Sequence, residues 1–169
     1  MNNAVLLQSV RFIVLVLLQV TLLNTINLSQ YINPYLYILF IITFPISDKD
    51  NRLLFIFLSF LLGLSVDLFS DSGGAHAAAS VLIGYLRKPY MRFSFGVSYQ
   101  QQGQKIAQSP FSQRLIYISL MILTHHLTLF FIESFSFANM MYVIQKTLLS
   151  SILTLVLILF SISMFKKKQ

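Results

Sequence analysis

The feature that most constrains this chain is a series of long apolar runs separated by short polar breaks. A bilayer's hydrocarbon core is roughly 30 Å thick and takes about 20 helical residues to cross, and within it every backbone N–H and C=O must be satisfied by the protein itself. Runs of this kind occupy Val10 to Leu28, Tyr31 to Ile46, Leu115 to Ile132 and Tyr142 to Phe165. A further stretch from Leu53 to Leu86 is broken by Ser70-Asp71-Ser72-Gly73-Gly74, a turn signal of small and polar residues, and so holds two helices. The expectation is an all-α fold: a polytopic transmembrane bundle of six helices, one integral-membrane domain over residues 1–169, with a polar loop at about 87–114. Pro34 is expected in the first turn of the second helix, where no N–H is needed.

Composition supports the same class. Hydrophobic residues make up 56% and charged residues 10% of the sequence, too little polar side chain to cover a water-facing surface. A soluble enzyme, a disulfide scaffold and a disordered tail are therefore excluded. The net charge of +7 comes from basic residues gathered between apolar runs, which points to an anionic lipid leaflet and not to nucleic acid. No cysteine is present, so there is no thiolate nucleophile or thiolate metal ligand. The first run is too long for a signal-peptide core, and Asn24-Thr25-Ile26-Asn27 offers no cleavage site. With a cytoplasmic N-terminus and six crossings, eleven of the 12 lysines and arginines fall on the inner side, and only Lys146 lies outside. Both termini are then expected in the cytoplasm.

The third and fourth helices carry the most chemistry. A helix starting near Leu53 puts Asp67 about 21 Å along it. Counting back from Arg87 and Lys88 as inner-face residues gives Ala75 to Leu86 only about 18 Å. Both estimates set the turn from Asp67 to Ala75 below the outer boundary, where irregular backbone must be covered by protein or line a wet cavity. A carboxylate there needs a partner. The candidates are the N-terminal end of the fourth helix, the imidazole of His76, and Lys146. Asp67 reads first as a clamp of the helix hairpin and the sixth helix, with a ligand or proton role and a contact to a partner protein as alternatives.

His125 and His126 fall near the middle of the fifth helix, and adjacent helical residues point about 100° apart. They are expected to bond neighbouring helices or carbonyls. With Asp67, His76 and Lys146 they form a candidate buried polar network. No His pair at i, i+4 and no H-E-x-x-H is present, so no metal site or other cofactor is expected. Ser65, Ser70, Ser72, Ser80 and Thr124 have no nucleophile-turn signature around them, and no catalytic residue is assigned. Small residues at Gly63, Ala75, Ala77, Ala78, Ala79, Ser80 and Gly84 give the third and fourth helices faces for close packing.

The string Gly63-Leu64-Ser65-Val66-Asp67-Leu68-Phe69, then Gly74-Ala75-His76-Ala77-Ala78-Ala79 and Tyr85-Leu86-Arg87, resembles the signature of the rod shape-determining protein MreD family. Arg11-Phe12 with Gln19, Asn33-Pro34-Tyr35-Leu36-Tyr37, and Thr124-His125-His126 with Phe130, Phe131 and Glu133 are similar to it too. The resemblance implies a multi-pass protein of the bacterial inner membrane with no catalytic activity. It implies a scaffold role in cell elongation beside the bitopic MreC, and indirectly beside the actin-like MreB and the cell-wall synthase complex. The family is also similar in fold to the substrate-binding subunits of energy-coupling-factor transporters, which gives the alternative reading of a small-solute binder. Gly63, Asp67, Gly74, His76, Ala78 and Arg87 enter as motif residues only.

Overall fold

A computed structural model describes residues 3–25, 31–45, 51–96, 106–135 and 137–164. The end of the first apolar run, the polar segment 46–50, most of the Gln-rich stretch with Lys105, and Lys166 to Lys168 lie outside the described residues. Among the described residues the fold is an all-α bundle of six α-helices: α1 (Asn3–Leu18), α2 (Leu39–Thr43), α3 (Arg52–Ser70), α4 (Ala75–Phe95), α5 (Phe111–Ser134) and α6 (Met140–Met164). Among the described residues four segments, Val5–Leu23, Arg52–Ser70, Phe111–Ser134 and Met140–Met164, are long and apolar enough to cross a membrane.

The helices pair through small side chains where lipid supplies no hydrophobic drive. On α3, Gly63 faces the backbone of α4, where an added Cβ would stand 2.4 Å from the His76 carbonyl oxygen. On α4, Gly84 faces Ser59, whose Oγ would lie 2.8 Å from such a Cβ. Ala75, Ala77 and Ala79 are buried, whereas Ala78 points outward and takes no part in this packing. α4 also packs along α5, and α5 along α6, so α4 and α5 form the middle of the bundle.

Two elements differ from the sequence expectation. The second apolar run is not one helix from Tyr31: the chain is irregular at residues 31–35, turns through a 3-10 segment at Leu36–Ile38, and is α-helical only at Leu39–Thr43. Pro34 disfavours helical backbone in the residue before it, so the helix starts after the proline and not around it. Tyr37, Ile38, Ile41 and Ile42 are completely buried, which makes α2 a core element of the bundle. The eight helical residues rise only about 12 Å, well short of a hydrocarbon core roughly 30 Å thick.

The fourth helix continues to Phe95, well past Leu86, and shortens the polar loop accordingly. Pro89 lies inside it and cannot donate to the Tyr85 carbonyl one turn earlier. Arg52 fills that vacancy, its Nη2 standing 3.2 Å from the Tyr85 oxygen. The continuation also overturns the measurement back from Arg87: this residue is 2% exposed and sits inside the bundle, so it does not mark an inner surface.

Candidate functional site

The irregular backbone before α2 is the place where the fold makes its most costly demand, because unpaired N–H groups are expensive away from water. From Asn33 to Tyr37 each N–H has a side-chain partner or does not exist. The Asn33 N–H donates to Ser150 Oγ at 3.0 Å and the Tyr35 N–H to Thr154 Oγ1 at 3.2 Å, both on α6. Pro34 has no N–H, and the Leu36 and Tyr37 N–H groups converge on Gln19 Oε1 at 2.8 and 3.5 Å. The other end of the Gln19 amide donates to the Pro34 carbonyl at 3.0 Å and to Asn24 Oδ1 at 2.8 Å. A glutamine side chain has two donors and one carbonyl acceptor, and this one, fully buried, uses all of them. Gln19 opens a π-helical turn, Gln19–Leu23, that ends at Asn24, whose Nδ2 in turn donates to Ser70 Oγ on α3.

Carbonyls along and just after α2 are met by guanidinium groups. Arg11 of α1 donates to the Leu39 carbonyl and to Thr43 Oγ1. Arg87 of α4 donates to the carbonyls of Ile42 and Phe44 and, through Nε, to Tyr117 Oη at 3.0 Å. Tyr117 itself donates to the Ile42 carbonyl at 3.1 Å. Cations at a helix C-terminus are also favoured by its dipole. Arg11 on α1 and Gln19 in the turn that continues it are about 12 Å apart, about the length of the helical stretch Leu36–Thr43, so one continuous element holds both ends of that stretch.

Asp67 caps a different helix. Its Oδ1 accepts from the His76 N–H at 3.0 Å and its Oδ2 from the Ala77 N–H at 2.8 Å, with Ser72 Oγ as a third donor. These N–H groups are two of the four that the start of any helix leaves unpaired. Of the three expected partners, the N-terminal end of α4 is therefore the one that Asp67 engages. Lys146 instead pairs with Glu133 at 3.4 Å and lies over the Phe130 ring. The bend after Asp67 is partly open, Asp71 and Gly73 being exposed while the carboxylate is buried.

The imidazole of His76 turns away from Asp67 and into the core. Its Nδ1 lies 3.0 Å from Tyr37 Oη, which lies 2.6 Å from Nε2 of His125. His126 points elsewhere, with Nδ1 2.9 Å from the Ile122 carbonyl and Nε2 3.1 Å from Thr154 Oγ1. Tyr35 fills the space between the three imidazoles, its ring 5.0 Å from His76 and 5.3 Å from His126. Of the candidate network, His76 and His125 are thus joined through a tyrosine, Asp67 is attached through the backbone of His76, and His126 and Lys146 belong to neighbouring contacts. Among the described residues no group of three or more His, Asp or Glu is arranged to hold a metal ion. Of the hydroxyl residues weighed as nucleophiles, Ser65 donates to the Leu61 carbonyl, Ser72 to Asp67 and Thr124 pairs with Tyr90, while Ser80 Oγ is buried without a hydrogen-bond partner among the described residues.

Sequence reasoning gave no site role to Gln19, Tyr37, Tyr117, Ser150 or Thr154. The available signal was a polar side chain within an apolar run, most visibly Gln19 in the first and Ser150-Ser151 with Thr154 in the last. Comparison of the chain with protein-family models, curated proteins and solved structures gives no significant match.

Proposed function

We propose that this protein is a non-enzymatic membrane scaffold of the bacterial cell-elongation machinery, similar to the MreD family. It would offer a membrane-embedded surface to the transmembrane helix of an MreC-like partner and so help position peptidoglycan synthesis. The observation that carries this reading is how the resembling residues are used. Arg11, Gln19, Gly63, Asp67 and Arg87 each hold one helix against another, and none is left facing a substrate. Such a motif fits a protein whose product is its own shape. The outer faces of α1, α3 and α6 carry exposed apolar side chains such as Leu7, Phe57 and Ile152, suited to lipid or to another membrane helix. An inner-membrane location with both termini cytoplasmic belongs to the same reading. Depletion in a rod-shaped host is expected to turn cells round, and the protein is expected to co-purify with an MreC-like partner in mild detergent. Unchanged cell shape after complete depletion would refute the scaffold.

The runner-up is a substrate-binding subunit of an energy-coupling-factor-type transporter. It is favoured by one observation: among the described residues, Nδ1 of His125 and Oγ of Ser80 are two of eight buried side-chain polar atoms without a hydrogen-bond partner. A small solute co-purifying at one per chain would support this reading over the scaffold.

A further inference from the structure

We propose that Arg52, held by Tyr85 through the gap that Pro89 leaves, forms a binding site for the headgroup of an anionic phospholipid. The 19 residues of α3 rise about 28 Å, close to the thickness of a hydrocarbon core. Arg52, its first residue, therefore stands at a membrane boundary. A long basic side chain in such a place ordinarily keeps its rotamer freedom. This one is fixed twice: its Nη2 donates to the Tyr85 carbonyl at 3.2 Å, and its Cζ lies 4.6 Å over the centre of the Tyr85 ring. The carbonyl is available because Pro89, one turn on, has no N–H to offer it. Among the described residues Tyr85 is the one partner of this guanidinium, a group that carries its N–H donors in a planar fork. Arg52 is exposed, so the rest of the fork is presented to the headgroup layer with its direction already set.

The surroundings select an amphiphile over a soluble anion. Toward the membrane interior α3 exposes Leu53, Phe57 and Phe60, spaced i, i+4 and i+7 on one face, a strip suited to an acyl chain. In the other direction α4 runs on from Tyr85 to Phe95. It carries Lys88 and Arg92 about 4 and 10 Å farther along, on the same side of the helix as Tyr85. Cations therefore lie at the level of lipid headgroups and apolar side chains at the level of lipid tails. Tyr85 itself is exposed, and tyrosine rings favour this boundary. A guanidinium meets two phosphate oxygens at once, where an ammonium acts as a point charge. The net charge of the chain accounts for a general attraction to an anionic leaflet, and Arg52 adds a site of fixed geometry to it. This site depends neither on the scaffold role nor on which leaflet the start of α3 faces.

The test uses the full-length protein in nanodiscs made from equal parts of phosphatidylglycerol and phosphatidylethanolamine, with the lipid that stays bound after transfer to mild detergent read by native mass spectrometry. The wild type is expected to retain phosphatidylglycerol in excess over phosphatidylethanolamine. Arg52→Gln is expected to lower that excess about fivefold, the worth of one cation at a lipid surface. Pro89→Ala leaves every charge in place but gives the Tyr85 carbonyl a helical N–H, so Arg52 loses its anchor and the excess is expected to fall, which attraction by charge alone does not predict. No excess in the wild type, or a folded Arg52→Gln or Pro89→Ala variant as selective as the wild type, would each overturn the proposal. Displacement of the retained lipid by inorganic phosphate would make this a free-anion site and overturn it as well. Should Arg52→Gln fail to fold, the wild type and Pro89→Ala decide it without that variant.

Discussion

Asp67 supplies to α4 the cap that Gly74 cannot. Gly74 stands at the cap position with a left-handed φ of 92° and no side chain, and the carboxylate of Asp67, one helix away, takes the two N–H groups that a capping Asp or Ser would take. The α3–α4 hairpin is thereby fastened by a charge-assisted contact between its two arms and not only by the turn that joins them.

Removing that carboxylate leaves two buried donors unpaired. Asp67→Ala is expected to lower stability by about 2 kcal/mol. Asp67→Asn keeps one acceptor oxygen and should lose less. Thermal unfolding of both variants in detergent orders them, and equal losses would contradict bidentate capping.

Gly63→Ala puts a methyl group against the α4 backbone, with 2.4 Å to the His76 oxygen and 2.6 Å to the Ala77 Cα. Backbone cannot rotate aside, so the two helices must separate, at a cost of about 3 kcal/mol. Gly84→Ala meets only the side chain of Ser59 and is expected to be milder. The folded fraction recovered by size-exclusion chromatography, compared between the two variants, tests the order.

Gln19→Leu keeps the volume of the side chain and removes every one of its hydrogen bonds. The amides of Leu36 and Tyr37 lose their acceptor, so their hydrogen exchange is expected to accelerate well beyond that of amides in α3. Unchanged protection at those two positions would show that the buried glutamine does not hold the start of the short helix.

Arg52 and Pro89 are coupled through the Tyr85 carbonyl. Pro89→Ala restores an N–H one turn below that oxygen and is expected to raise the unfolding temperature, since proline inside a helix is unfavourable by about 3 kcal/mol. Arg52→Ala should be destabilising in the parent chain and close to neutral in the Pro89→Ala background. A double-mutant cycle reads the difference directly.

The parts of this architecture that the sequence disclosed are those whose cause is local. An apolar run gives a helix, and Gly73-Gly74 after Asp71 gives a turn. An acid just before that turn has the start of the next helix within reach. The short α2 was not legible, because Tyr31 to Ile46 has the same apolar character whether helical or extended, and the donors of its irregular part are met by Ser150 and Thr154 from the far end of the chain. Arg87 was misread for a related reason. A charged residue beside a polar loop is ordinarily a surface residue, and only the open carbonyls of Ile42 and Phe44 turn it into an interior one. The union of His76 with His125 depended on a tyrosine from a third element, which spacing within either helix does not reveal.

The contact of Asn33 with Ser150 spans 117 positions, and it sets an order of events during synthesis. The first five helices can emerge and insert before the ribosome has made α6, but until α6 arrives the amides of Asn33 and Tyr35 have no permanent acceptor. The nascent bundle therefore stays unfinished at its centre until its last helix is in place, and a truncation that removes α6 would unsettle the beginning of the protein as much as its end.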